Sequence, residues 1–345
     1  MVNGRSSPRY FNDIPDESVP PQRRRLPHFS WMTESVSLQS DWLSRLLGIL
    51  AIRGFFGART SYRNHWQIGF DLAIPGEIPF YIILNGYAAL EYPNAELRSL
   101  YSGDIALFPH GTPHRLYDRS QVHDRASTRR RTRRVPSPEA STDEPSHTEI
   151  ICGRLNIAHP HGAFVRKYLP ESLIVRSSDA MSATTSQLRS LVKIIHEESR
   201  TNEEGPPYNL DVLAPALFVM LFRALSEVEE PPTGLIAVAG CKQLVPALEG
   251  IFAEPSESWT LSDLAAHCGV SRATLLRRFQ HKLGCSPMGL LLDIRMALAA
   301  NDFGKARVST DEIARNVGYK SSTAFSRAFT KYFGITLRNW KHSQR

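Results

Sequence analysis

At 345 residues the chain exceeds one ordinary core and fits two domains or three. Its 42% hydrophobic and 22% charged residues exclude wholesale disorder, and no stretch approaches the ~18 uninterrupted apolar residues that a membrane span needs. The net charge of +7 is uneven: residues 1–240 carry 26 Lys/Arg and 26 Asp/Glu, residues 241–345 carry 15 and 8. A basic part joined to a neutral one points to a polyanionic partner for the second part, although a merely soluble basic surface would show the same excess. The opening MVNGRSSPRY lacks an apolar core, so no secretory leader is expected and the expected location is cytoplasmic. Four cysteines without a CxxC pair (Cys152, Cys241, Cys268, Cys285) read as small buried apolar residues and not as a disulfide framework.

In chain order, residues 1–35 are rich in Pro, Ser and Arg and read as a disordered tail. From Asp41 to about Leu116, short apolar runs such as Trp66–Ile74, Phe80–Leu84 and Ile105–Phe108 recur about every ten residues, as in a small antiparallel sandwich or barrel. Residues 119–149, with RRRTRR and PSPEASTDEPS, read as a disordered insertion in a loop; the arginine run there reads as a solvated charge run. Strand texture resumes at Ile150–Ile157. Helical spacing follows in Leu188, Leu191, Val192, Ile195 and again in Leu210, Leu213, Leu217, Leu221, Leu225. Glu229–Gly234, EEPPTG, reads as the linker to the C-terminal part.

Residues 260–345 carry the strongest pattern. Thr260 is placed to cap a helix Leu261–Cys268, with Asp263 as the capping-box acid; Gly269 turns the chain; Ser271 caps a second helix Arg272–Leu283, which Gly284 stops. The unit returns as Ser309, Glu312, Gly318, Ser321, a helix to about Phe333, and Gly334. Gly269 and Gly318 lie 49 apart, Phe279 and Phe329 lie 50 apart, and so do Gly284 and Gly334, so the second turn is one residue longer. Two helix-turn-helix units are thus expected, joined by a helix from Ser286-Pro287 to about Asn301, roughly 22 Å long. Such a rod would hold two second helices about one DNA turn apart, near 34 Å.

On the first of those second helices, Leu275 and Phe279 go inward, which turns Arg272, Ala273, Leu276 and Arg277 toward a DNA groove. On the second, Phe325 and Phe329 go inward, leaving Ser322, Thr323, Ser326 and Arg327. Arg277 is the candidate for bidentate contact with guanine. Lys320, Lys331 and Arg338 are candidate phosphate contacts, and Arg278 is expected to hold phosphate or an acid of its own domain. The text WTLSDLAAHCGVSRATLLRRFQHKLGCSP, RMALAA and STDEIARNVGYKSSTAFSRAFTKYFGIT resembles the DNA-binding domain of AraC/XylS-type transcription regulators over its full length of about 100 residues. That resemblance implies double-stranded DNA as partner, a domain over 241–345, and Arg327 at a position that approaches DNA. It also implies location at the bacterial nucleoid when bound, a homodimer, and contact with RNA polymerase for an activator. Leu337 stands where the family usually has proline, which touches the start of the last helix only.

In the N-terminal part, Gly103, Pro109, Gly111 and His114 fit G-x5-P-x-G-x2-H, which resembles the second motif of cupin barrels. The resemblance covers about residues 41–157 and implies a cupin-like effector or dimerisation domain over 41–230. Metal-binding cupins need two histidines and a glutamate from an earlier motif; here Pro79 stands at the glutamate position and Leu72–Pro75 at the histidine positions, so no metal and no cofactor are expected. His65, Trp66, Tyr81, His110 and His114 are candidates to line an effector pocket, each with a packed structural role as the alternative. The expected fold class is α+β: a cupin-like antiparallel β-barrel with flanking helices, then an all-α domain of two helix-turn-helix units and a connecting helix. The expected function is sequence-specific DNA binding by a non-enzymatic transcription regulator, with a small effector sensed by the barrel. The competing function is a cupin-barrel enzyme with an accessory helical domain.

Overall fold

Strands built from alternating or wholly apolar runs pair antiparallel into two sheets. The computed structural model describes residues 42–63, 65–118, 147–177, 182–200, 208–304 and 308–343. The expected tail at 1–35 lies outside these residues, as does the expected insertion except for 147–149, which open a strand. Helix α1 (Trp42–Leu50) leads into β1 (Arg53–Arg63), β2 (Gln67–Phe70), β3 (Glu77–Asn85), β4 (Tyr87–Glu91), β5 (Leu97–Tyr101), β6 (Ile105–Leu107), β7 (His114–Tyr117) and β8 (His147–Asn156). After α2 (Gly162–Tyr168) comes β9 (Leu173–Val175). One sheet has the order β1-β8-β3-β6-β9 and the other β2-β7-β4-β5. These are two separate sheets and not the single closed barrel of the expectation, while the α+β class stands.

The run Phe80–Leu84 is apolar throughout because β3 is covered on both faces. Successive side chains alternate: Phe80 and Ile82 join Phe56, Ile105 and Ile151 against the helices, while Tyr81 and Ile83 join Ala88, Leu90, Phe108 and Ile150 between the sheets. The register agrees, with Tyr81 opposite Ala106 and Ile83 opposite Ile150.

The remaining helices are α3 (Ala183–Arg200), α4 (Tyr208–Asp211), α5 (Ala214–Ser226), α6 (Leu235–Ala239), α7 (Val245–Ala253), α8 (Leu261–His267) and α9 (Arg272–Leu283). They continue as α10 (Pro287–Phe303), α11 (Thr310–Asn316), α12 (Ser322–Phe333) and α13 (Leu337–Ser343). One core runs without a break from the outer face of the five-stranded sheet through α1, α2 and α5 to Leu264, Leu275, Phe279 and Leu290. The expected linker is part of this packing: the Gly234 amide donates to Lys282 O at 2.8 Å, and Leu235, Ile236 and Val238 right after it are buried. A second core holds Met296, Ile313, Val317, Phe325, Phe329 and Trp340. Helix α10 belongs to both cores, with Leu290, Leu291 and Ile294 in the first and Met296 and Ala299 in the second. It is the expected connecting helix, 17 residues and about 25 Å long, buried between the two cores. No single helix is long and apolar enough to cross a membrane among the described residues. Cys268 is buried as expected, but Cys152, Cys241 and Cys285 are only half-buried.

Candidate nucleic-acid interface

Each helix-turn-helix is fixed by local hydrogen bonds that its residue types dictate. Thr260 Oγ1 accepts from the Asp263 amide at 3.2 Å and the Thr260 amide donates to Asp263 Oδ2 at 2.9 Å, a complete capping box. The Thr260 hydroxyl, which donates to Asp263 Oδ2 at 2.7 Å, and then the Thr260 amide hold the exposed Asp263 carboxyl below its usual pKa. Ser271 Oγ accepts from the Thr274 amide at 3.1 Å and starts α9. In the second unit Ser309 Oγ accepts from Glu312 at 3.1 Å and Ser321 Oγ accepts from Ala324 at 3.2 Å. The two turns share their backbone bonds: Gly269 to Ala266 O and Val270 to Ala265 O, both 3.0 Å, against Gly318 to Arg315 O at 3.0 Å and Tyr319 to Ala314 O at 2.8 Å. The extra residue of the second turn is Lys320, which is exposed. Thr336 Oγ1 accepts from the Asn339 amide at 3.3 Å, so α13 starts with Leu337 in the place of the usual proline.

With Leu275 and Phe279 fully buried, Arg272, Ala273, Leu276 and Arg277 all stand exposed on α9. Phe325 and Phe329 do the same for α12, where Thr323 and Arg327 are exposed and Ser322 and Ser326 half-buried. Ser326 Oγ donates to Ser322 O at 2.7 Å, so that hydroxyl already serves its own helix. Arg277 and Arg327 stand 50 residues apart, the offset that relates Phe279 to Phe329, and so occupy the same station on their helices. None of Arg272, Arg277, Lys320 and Arg327 has an acidic partner among the described residues. Arg278 is half-buried and donates to Gln243 Oε1, a side-chain amide of its own domain and not an acid. Lys331 and Arg338 are exposed.

The expected effector residues are not gathered around one cavity. His114 is buried: its Nδ1 lies 2.7 Å from Thr112 O and its Nε2 lies 2.9 Å from the Tyr81 hydroxyl, while the ring stacks on Phe108 at 3.7 Å. A carbonyl can only accept, so Nδ1 carries the proton and Nε2 accepts from Tyr81. Burial lowers the His114 pKa and raises that of Tyr81, which keeps both neutral. Both ring nitrogens are committed, so the imidazole does not fit a metal ligand. Among the described residues no group of three His, Cys, Asp or Glu is arranged to hold a metal ion. Trp66 stacks on Tyr62 at 4.8 Å inside the sheet-sheet core, and Tyr81 fills the same core. His65 is exposed, with its backbone amide donating to Asp118, and His110 faces Leu169 O at 2.9 Å. Of the five, only His114 lines the cavity of about 510 Å³ at the rim of the four-stranded sheet, together with Gln67, Phe70, Asp71, Glu91 and Arg115. Sequence spacing misses these neighbours because Gln67, Asp71 and Glu91 sit at strand ends, where alternation no longer says which way a side chain faces.

Residues 41–227 match the cupin family, and residues 264–343 match the helix-turn-helix domain family. The RCS-specific HTH-type transcriptional activator RclR of Escherichia coli is 25% identical over 305 residues, covering 88% of this chain and 98% of its own. The HTH-type transcriptional regulator AlkR of Acinetobacter baylyi is 29% identical over 271 residues, covering 76% of this chain and 86% of its own. A putative AraC-like transcription regulator of Streptomyces lividans is 33% identical over 124 residues, covering 36% of this chain and 41% of its own.

Proposed function

The chain belongs to the AraC-type DNA-binding transcription regulators with an N-terminal cupin domain, and from that premise we propose how its parts divide the work. Helices α9 and α12 enter successive major-groove segments on one side of double-stranded DNA. Arg277 and Arg327 read base edges, each with a bidentate contact to guanine. Exposed Leu276 meets an apolar thymine methyl, and Ala273, Arg272, Ser322, Thr323 and Ser326 complete the groove-facing surfaces. Lys320, Lys331 and Arg338 contact phosphates and set the register. The observation that supports this best is the pair of exposed arginines at equivalent stations, neither with an acidic partner among the described residues.

The cupin part, residues 41–230, acts as sensor and dimerisation element for the domain at 241–345, with the 510 Å³ rim cavity as the effector site. Effector binding biases how the paired DNA-binding domains are presented. The chain works as an activator in the bacterial cytoplasm, contacts RNA polymerase, and carries out no catalysis. Retardation of the DNA flanking its own gene by the full chain tests the reading. Binding is expected to depend on sequence and to weaken steeply with salt. Arg277→Ala and Arg327→Ala are each expected to cost about 1–3 kcal/mol, roughly 5- to 150-fold. Retention that ignores both substitutions and sequence would overturn it.

A further inference from the structure

One face of α3 carries a pattern that DNA reading does not use. Thr185, Arg189, Lys193 and His196 recur at helical spacing and form a column beside Leu188 and Val192. Together with Ile83 of β3, Val175 at the end of β9 and Arg176 after it, these residues line a cavity of about 230 Å³. Ile83, Val175 and Leu188 are buried and give it an apolar floor. Three cations, Arg176, Arg189 and Lys193, share its wall, and no Asp or Glu does among the described residues. It has no lining residue in common with the rim cavity.

These cations are positioned without being neutralised. Arg189 donates to Ser177 O, and Arg176 Nη1 donates to Ser99 O at 3.5 Å, so each commits one of its five N–H donors to a backbone carbonyl. Lys193 lies 3.7 Å from Glu197 in an exposed i,i+4 pair, a kind that contributes little. The nearby acids are engaged elsewhere. Glu149, 3.9 Å from His196 Nε2, meets Arg59 at 3.5 Å and His147 at 3.1 Å. Asp104 is buried and accepts from the amides of Tyr101 at 2.9 Å and Ser177 at 2.7 Å.

We propose that this cavity binds a small phosphate monoester, with its phosphoryl group between Arg176, Arg189 and Lys193 and its apolar body on Ile83, Val175, Leu188 and Val192. A phosphate monoester carries about −1.5 to −2 charge near pH 7 and three acceptor oxygens, which suits two guanidinium forks and an ammonium. A singly charged group would leave most of that positive charge unanswered. Thr185 lines the cavity from the first turn of α3, so the positive end of the helix dipole adds to the same field. The volume lies below the roughly 300–1,000 Å³ of pockets for drug-sized ligands, which limits the body to about one small ring or short chain and excludes a nucleotide. The site does not rest on the regulator reading.

Calorimetric titration of the full chain with phenyl phosphate tests the site. One molecule is expected to bind per chain, and Arg176→Gln and the exposed Arg189→Gln are each expected to weaken binding by about tenfold or more. Phenyl sulfate, of the same shape with one charge, is expected to bind about tenfold more weakly. Inorganic phosphate, which leaves the apolar floor uncovered, is expected to bind about tenfold more weakly as well. Val192→Glu, which sets a like charge at the floor, is expected to weaken phenyl phosphate, with helix content unchanged by circular dichroism. No heat at millimolar phenyl phosphate, equal affinity in Arg189→Gln, equal affinity for inorganic phosphate, or loss on Arg115→Gln in place of Arg189→Gln would overturn the proposal. So would weakened DNA retention in Arg176→Gln and Arg189→Gln with phenyl phosphate binding unchanged, which would make the cluster a contact for the DNA backbone.

Discussion

The two helix-turn-helix units share caps, turns and inward residues, yet they are anchored in different ways. In the first, Leu264, Leu275 and Phe279 belong to the core that reaches the five-stranded sheet. In the second, Ile313, Phe325 and Phe329 close on an aromatic core of their own, where Phe329 meets Trp340 edge-on at 5.3 Å. The first unit is thus built into the sensor part. The second is joined to it through α10, whose Asp293 meets Lys167 and Tyr168 and whose Asn301 faces His161 Nε2 at 2.7 Å and donates to Ile49 O at 2.8 Å, and through the His159 ring on Trp340 at 6.0 Å. The two cores share no fully buried residue, so the second reader is expected to be the one whose presentation changes.

This contrast predicts that equivalent core truncations have different reach. Phe279→Ala and Phe329→Ala each remove a fully buried ring and are expected to cost about 3–5 kcal/mol. The first is expected to lower the stability of sheet and helices together in one transition. The second is expected to separate an early transition, seen as hydrogen exchange confined to residues 308–343. A single joint transition in Phe329→Ala would contradict the separate-core account.

The turn glycines extend the contrast. Gly269 and Gly318 both have positive φ, +62° and +78°, which only glycine adopts without strain. Around Gly269 a Cβ would meet nothing within 4 Å, whereas at Gly318 it would lie 2.3 Å from Ser256 O, part of the segment that Arg295 of α10 holds through Pro255 O and Glu257 O at 2.7 Å. Gly318→Ala is expected to cost about 2–3 kcal/mol and Gly269→Ala about 1 kcal/mol. Chemical denaturation checks the order, and equal losses would deny the close approach. Asp293→Asn keeps the shape but removes the charge that pairs with Lys167; about 1–3 kcal/mol is expected, together with faster exchange at α10 and α12. Smallest are the caps: Thr260→Ala, which removes the hydroxyl's bonds to the Asp263 amide and carboxylate and keeps the backbone one, is expected to cost about 1–1.5 kcal/mol, and Ser309→Ala about 1 kcal/mol.

The repeated reader is legible in the sequence because each boundary is set by a local rule: a side-chain oxygen that caps, a glycine at positive φ, and large residues one turn apart. His114 is legible for the same reason, since Gly103 and Gly111 adopt positive φ at 87° and 63° and direct the chain inward. What escapes is set by long-range packing. The helix from Pro287 to about Asn301 reads as a rod because helical period and caps are plain, but LLLDIRMALAA is apolar around most of its circumference, the mark of a helix buried on several sides. Asp293 and Arg295 within that run are the visible signs of polar contacts, and the Asp293 partners Lys167 and Tyr168 lie more than 120 residues away. The EEPPTG segment carries turn residues that mimic a tether, while its packing depends on Lys282 and on the buried LIAV that follows. Likewise His65 and His110 share a residue type with His114, and nothing in local spacing says that one faces solvent and the other Leu169.

The most direct measurement is hydroxyl-radical footprinting of the full chain on its target duplex, compared with Arg277→Ala and Arg327→Ala. Two protected major-groove segments on one face, about ten base pairs apart, are predicted, each substitution weakening protection of its own segment. A single protected segment, or two that respond identically to either substitution, would contradict the account of two equivalent readers.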